Sequence, residues 1–270
     1  MLWVIESNVA DEERYDAFIS AIASFGIDYQ IVTRIPFSQE LVPEITSEDV
    51  FAYGSVGLIN KVASTRGWKV FTNDNFDFEV WSKAWDGDVL NEGAEIGPFN
   101  SVPINEEQFF IRPTKDNKAF TGKIMSIIDY YNWLDQLKIG EESSLGLDFD
   151  IEEQVMVAPV RNIYQETRFF VVDGKIVTHS LYRTGGRILY RESSETDPEA
   201  VEFAQRMIDR WTPDDAFVLD LALTDDGYKV LEINSINCSG FYKSDVTKLV
   251  AAFVDHFKVE NNHVMELSGL

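Results

Sequence analysis

The stretch Phe217–Tyr242, FVLDLALTDDGYKVLEINSINCSGFY, is mostly apolar yet holds Asp220, Glu232 and Asn234. Asp225, Asp226 and Gly227 suit a three-residue hairpin loop, with glycine free to take a left-handed conformation. Thr224 then faces Tyr228, and counting back sets Asp220 opposite Glu232. Opposed residues share a sheet face, their Cβ atoms about 4.5–5.5 Å apart. Asn234 points to the same face, while Leu219, Leu221, Leu231 and Ile233 point into a core. Two like charges opposed across a ladder destabilise it. A cation, a shared proton or a nearby Arg or Lys must offset them. Two carboxylates and an amide oxygen are hard donors that suit Mg²⁺ or Mn²⁺ and not zinc. The alternative is the exposed acidic face of an amphipathic hairpin.

Cationic residues are scarce, so their placement matters. Arg112, Lys115, Lys118 and Lys123 fall within RPTKDNKAFTGK, a strand end followed by a polar loop. Such a loop can lay lysines and backbone N–H groups over a polyphosphate, or be plain charged surface. No GxxxxGK[ST] phosphate loop occurs. Arg168 lies in ETRFFVV, which alternates Glu166, Arg168 and Phe170 on one face, and Arg183 ends the next strand. A strand-borne arginine facing a metal–phosphate site stabilises charge on a transferred phosphoryl group; pairing with acids is the plainer role.

The chain has 270 residues, 45% hydrophobic and 13% aromatic, enough for one large domain or two compact ones. Its formal charge of −23, from 23 basic and 46 acidic residues, argues against a long nucleic-acid groove. It fits a solvated acidic surface, or less simply a DNA mimic. The single cysteine, Cys238, excludes an intramolecular disulfide, and His179, His256 and His263 match no zinc spacing. No apolar run is long enough to span a bilayer and no secretory signal is visible, so a cytoplasmic protein is expected.

The elements that must position these residues come in two rhythms. LWVIES, YQIVTRI, VFAYGS and WKVFT read as strands alternating with helices in DEERYDAFISAIASFG and VGLINKVASTRG, a small parallel α/β unit. YGSVG is a tight strand-to-helix turn or an anion site. A Gly-, Pro- and Asn-rich segment marks a boundary near residue 105. Beyond it, FFIRP, EEQVMVAPV, TRFFVV and KIVTHSLYR read as strands. A helix carries Ile124, Ile127, Ile128, Tyr131 and Leu134, with Thr121 as cap. DPEAVEFAQRMIDRW is a helix capped by Asp197, and a closing helix runs from about Ser244 to Phe257. This second part is α+β.

Taken in order, residues 106–260 resemble the ATP-grasp superfamily, closest to ligases of the ribosomal-protein glutamate type and to phage and bacterial ATP-grasp proteins with Arg in place of the usual first lysine. FVLDLALTDDGYKVLEINS is similar to that group's metal-binding hairpin. The resemblance implies an ATP-grasp fold with ATP between two α+β lobes (106–270) and an N-terminal α/β pre-ATP-grasp domain (1–105). It implies Mg²⁺ or Mn²⁺ on Asp220, Glu232 and Asn234, and catalytic arginines at Arg183 and Arg168. Phosphate contacts fall to Arg112 and to loop lysines among Lys115, Lys118 and Lys123. VMVAPV supplies the adenine hinge around Ala158 and Val160, although the usual hinge glutamate is replaced by Ala158 and Pro159. Glu166 would contact ribose. The activity implied is ADP-forming carboxylate–amine ligation through an acyl phosphate, on small-molecule or peptide substrates, with neither nucleic acid nor membrane as partner. Substrate selection is expected in loops 54–60, 141–150 and 184–195. Cys238, beside the metal strand, is expected to serve packing. An ATP-binding regulator that ligates nothing is the alternative.

Overall fold

The computed structural model describes all residues except 8–11, 36–37, 39, 73–74, 116–118, 143–149, 238 and 269–270; the side chains of 12, 61, 140–142 and 259–268 also lie outside the description. The chain opens with β1 (Leu2–Glu6), α1 (Glu12–Ser24), β2 (Tyr29–Arg34), β3 (Leu41–Val42) and β4 (Val50–Tyr53). These strands form a sheet in the order β3-β2-β1-β4, with β1 parallel to both β2 and β4. One helix follows as α2 (Val56–Leu58), a π-helical turn Ile59–Ala63 and α3 (Ser64–Arg66). It stops at Gly67, whose φ of 66° needs a residue without Cβ. The YGSVG turn is a strand-to-helix turn whose first free amide is already taken. The Ser55 N–H donates to Glu6 Oε2 at 2.6 Å. A Cβ at Gly54 would meet Glu6 at 2.6 Å, which explains the glycine.

Next come α4 (Phe78–Ala84), β5 (Glu95–Pro98), β6 (Gln108–Pro113), β7 (Lys123–Ser126), α5 (Ile127–Glu142) and β8 (Gln154–Pro159). They are followed by β9 (Gln165–Val172), β10 (Lys175–Thr184), β11 (Arg187–Arg191), α6 (Pro198–Arg210), β12 (Ala216–Thr224), β13 (Gly227–Ser235) and α7 (Val246–Ser268). Two further sheets result, ordered β11-β10-β9-β12-β13 and β5-β8-β6-β7.

The five-stranded sheet is the wall of the molecule. Alternation along β12 sends Phe217, Leu219 and Leu221 to one face, against α6 and the aromatic segment Phe76, Phe78, Trp81 and Trp85. Ala216 and Val218 go to the other face, against α1, α7 and the first sheet. The buried residues Val246, Leu249, Val250, Phe253 and Phe257 form the inner face of α7, as the sequence predicts. Past that apolar half, the second face turns polar at Asp220, and the site lies there.

Several expectations change. WKVFT contributes only a bridge between Lys69 and Phe51. The helix expected from Ile124 begins at Ile127, because Lys123–Ser126 pairs with β6 as a strand. Ser126, not Thr121, caps it: the Ser126 Oγ accepts the Asp129 N–H at 3.1 Å. Its inner face is Tyr130, Leu134 and Leu137, leaving Ile128 and Tyr131 exposed. Strand pairing also crosses residue 105, since β5 bonds to β8 and the 76–89 aromatics pack on α6 and β12. Among the described residues no helix is long and apolar enough to cross a membrane.

Burial in this fold has a pH consequence. His179 on β10 stacks on Phe169, its Nε2 lies 3.2 Å from the Ser193 carbonyl oxygen, and its Nδ1 finds no hydrogen-bond partner among the described residues. Burial holds its pKa below the ordinary imidazole value. The unfolded chain therefore binds the extra proton more readily. The stability His179 contributes is present above about pH 6.5 and is lost as pH falls through the depressed folded pKa. Urea midpoints measured from pH 5 to 7.5 are expected to drop more steeply on acidification in the wild type than in His179→Phe.

Candidate active site

The hairpin β12–β13 pairs Asp220 with Glu232, as the sequence predicts, but by another route. Thr224 pairs with Gly227, and the extra residue Leu231 is absorbed as a bulge between the Leu221–Val230 and Asp220–Glu232 pairs. The bulge resets the alternation, so Val230 and Ile233 both enter the core. Leu231 turns toward a cavity instead of into the core as expected.

That cavity, about 420 Å³, lies between the two C-terminal sheets. Phe110, Arg112 and Pro113 of β6, with Lys115, Phe120, Thr121 and Gly122 of the following loop, line one side. The other side is Ile163, Glu166, Arg168, Tyr182, Arg183, Leu231, Glu232, Asn234 and Tyr242. Residues scattered over 130 positions in sequence thus converge on one space. A Cβ at Gly122 would come within 2.8 Å of the Phe110 ring, so this residue lets the loop fold down on β6.

Three carboxylates at this site each have an arginine. Arg168 grips Asp220 through two bonds, Nε to Oδ1 at 2.9 Å and Nη2 to Oδ2 at 2.7 Å. Arg112 Nη1 donates to Glu232 Oε2 at 2.6 Å, and Arg183 Nη1 donates to Glu166 Oε1 at 3.0 Å. Asn234 Nδ2 lies 3.0 Å from Glu232 Oε1 and 3.4 Å from Asp220 Oδ2. The repulsion expected across the hairpin is therefore offset by arginines reaching over from β9 and β6.

Asp220 is 0% exposed. Burial raises its pKa to about 6 although Arg168 pulls the other way. It remains a carboxylate at pH 7, since the two-bond grip of a guanidinium suits the charged form. For Arg168, burial disfavours the charge, but Asp220 more than offsets it and the net shift is upward. Arg168 also lies over the rings of Tyr242 and Tyr182, 5.0 and 5.6 Å from their centroids. Its Nη1 lies 3.4 Å from the Gly240 carbonyl oxygen.

The expected site residues divide accordingly. Arg112, Lys115, Glu166, Arg168, Arg183, Glu232 and Asn234 line the cavity. Asp220 lies beneath it with both oxygens committed to Arg168. Glu166, expected to face ribose, is buried and accepts from Tyr182 and Arg183. Lys123, expected on phosphate, is a strand residue set over the Trp133 ring at 3.4 Å, where burial lowers its pKa; β7 pairing turns it from the cavity. Ala158 is buried within β8, and Val160 just beyond lines an apolar cleft of about 70 Å³ that shares Phe110, Ile163 and Leu231 with the main cavity. Lys118 and Cys238 lie outside the described residues.

Sequence reasoning missed Tyr182 and Tyr242. Their rings stack 4.8 Å apart, and Tyr242 holds a left-handed φ of 51°. Burial raises both hydroxyl pKa values. The only hint was position, since Tyr242 follows Ser239-Gly240-Phe241 just past the hairpin.

Solved structures share this architecture. D-cycloserine synthetase DcsG aligns with a TM-score of 0.61 at 11% identity, over 94% of this chain and 99% of that one. A RimK domain protein ATP-grasp from Sphaerobacter thermophilus DSM 20745 gives 0.59 at 13%, over 86% and 90%. D-alanine–D-alanine ligase from Bacillus anthracis gives 0.58 at 14%, over 97% and 99%. No curated protein matches by sequence. A family described as an ATP-grasp domain, family 3 of its clade, matches residues 66–256. With that match across most of its length, and the ATP-grasp fold, this chain belongs to that ATP-grasp family.

Proposed function

We propose that the protein is an ATP-dependent carboxylate–amine ligase that releases ADP and phosphate. The observation that carries this reading is the charged cavity between the two sheets, with an apolar cleft opening beside it. The cleft at Pro159, Val160 and Leu231 takes the base, with main-chain groups around Ala158 and Val160 reading its edge. Arg112 and Lys115 neutralise the phosphates, and Arg183, about half-exposed at the cavity, follows the transferred phosphoryl group. Lys118 remains a phosphate candidate on its sequence position. Arg168, fully engaged, holds Asp220 and supports the floor instead of meeting phosphate. In this proposal residues 106–270 handle the nucleotide, joined by the 76–98 segment that packs on them, and the N-terminal α/β part helps frame the substrates.

The donor chemistry fits a hard divalent cation. Glu232 and Asn234 line the cavity and would hold it, whereas Asp220 becomes available only if Arg168 releases an oxygen. Such an ion, when bound, draws charge from phosphate oxygens. In the first step a substrate carboxylate oxygen attacks the γ-phosphorus. ADP departs and an acyl phosphate forms. The amine then attacks the acyl carbon, phosphate leaves with the C–O bond electrons, and the ammonium loses a proton to give the amide. Activation is needed because a free carboxylate offers no adequate leaving group.

The test is a panel of amino acids and acidic peptides incubated with ATP, Mg²⁺ and hydroxylamine. A ligase forms a hydroxamate from its substrate and releases an equivalent of ADP. One observation favours a second reading, a nucleotide-binding protein without turnover: three arginines already neutralise the carboxylates. That protein would gain thermal stability from ATP and form neither ADP nor hydroxamate with any member of the panel.

A further inference from the structure

We propose that the free edge of β11 docks an extended peptide whose side chains alternate acidic and apolar. β11 ends the five-stranded sheet, paired to β10 alone, and all five of its residues are exposed. Among the described residues no strand covers its outer side. An open row of backbone N–H and C=O groups is a template for an added strand. The β10–β11 ladder carries one irregularity between Leu181 and Arg183, and the edge beyond it presents Ile188, Leu189 and Tyr190, with Ile188 69% exposed.

The side chains specify the occupant. Tyr190 stacks on Tyr242 at 5.0 Å, so it stands on the cavity side of the sheet. Ile188 shares that side by the two-residue period, and Arg187, Leu189 and Arg191 stand on the other. An added strand aligns its own alternate side chains with these two rows. The row holding Arg187 and Arg191 calls for carboxylates, and the row of Ile188 and Tyr190 for apolar groups. Arg191 meets Glu195 at 3.2 Å, but both side chains stay about half-exposed, and such a surface pair yields easily to a competing carboxylate. Residues 183–191 hold three arginines and no acid in a chain of net charge −23. Screening over roughly 8 Å at physiological salt lets this local patch act despite the overall charge. A second copy is a poor occupant, because antiparallel β11 edges would bring like arginines together between two acidic chains. Nucleic acid lacks the amide row that an edge strand pairs with.

The docking does not rest on the ligase reading, and its test uses no nucleotide. A labelled peptide of about eight residues alternating Glu and Val is titrated into the full chain by fluorescence anisotropy. Expected are binding that weakens with salt, at least tenfold tighter than for a control peptide of the same length alternating Lys and Val, and a loss of tenfold or more in Arg187→Glu/Arg191→Glu. A Glu/Val peptide N-methylated at alternate residues is expected not to bind. Circular dichroism checks that the variant is folded, and Ile188→Pro, which removes an N–H that the hairpin alternation points outward, gives a charge-neutral second test. The proposal is overturned if no Glu/Val binding occurs, if the Lys/Val or N-methylated peptide binds as tightly, or if the folded variants bind undiminished. It is equally overturned if sedimentation shows a dimer that these variants dissociate, since the occupant is then a second copy.

Discussion

Arg168→Met lowers the unfolding free energy by about 3–5 kcal/mol, the usual cost of stranding one member of a buried ion pair. Asp220 has no water to turn to: it is 0% exposed, and its two oxygens take their shortest bonds from Arg168. Asn234 reaches it only at 3.4 Å, too weakly to compensate a charge. The variant's deficit shrinks on acidification, because an orphaned carboxylate escapes its penalty by taking a proton. The pKa of Asp220, already raised to about 6 beside Arg168, rises further once the guanidinium is gone. Urea denaturation at pH 5 and pH 8 measures both effects. Arg168→Met/Asp220→Leu is expected to recover most of the loss, since an apolar pair of similar volume replaces the ionic one. A deficit below about 1 kcal/mol in the single variant would mean that Asp220 draws its compensation from elsewhere.

Glu232→Gln is expected to remove the Mg²⁺-dependent part of ATP binding together with turnover. ATP at a hundred times its dissociation constant stabilises the folded chain by about 2.7 kcal/mol, about 5–10 °C in melting temperature for a chain of this size. In the variant, ATP alone keeps its stabilisation, because a negative charge has left the phosphate cavity and Arg112 is freed from its 2.6 Å bond. Adding Mg²⁺ then gives no further increment. Thermal melts of both proteins with ATP, with and without Mg²⁺, read this directly. A full Mg²⁺ increment in Glu232→Gln would remove Glu232 from the metal site.

Much of the fold is written locally. The Asp225–Asp226 turn before Gly227 and the two-residue period of its flanks set the hairpin, though period alone would place Leu231 opposite Asp220. Asp197 before Pro198 starts α6, and the spacing of Val246, Leu249, Val250, Phe253 and Phe257 marks the buried face of α7. Each signal acts within a few residues, where propensity and periodicity operate. The helix after β6 shows the limit. Its apolar spacing extends back to Ile124, but pairing with β6 claims 123–126 as a strand, and a tertiary hydrogen-bond ladder outranks local pattern.

The chemistry of the site divides the same way. The residue types were legible: hard oxygens on a hairpin, and arginines on the strands before it. Which arginine meets which carboxylate was not, because the partners lie 52 and 120 positions apart for Arg168–Asp220 and Arg112–Glu232. The sequence determined, through turn chemistry and strand period, that Asp220 and Glu232 lie on the two arms of one hairpin, and the bulge at Leu231 sets them opposite each other. Only the tertiary structure decided that Asp220 is clamped by Arg168, that the bulge turns Leu231 to the cavity, and that Lys123 faces Trp133. Long-range packing of one sheet on another sets those contacts, and no local spacing encodes them.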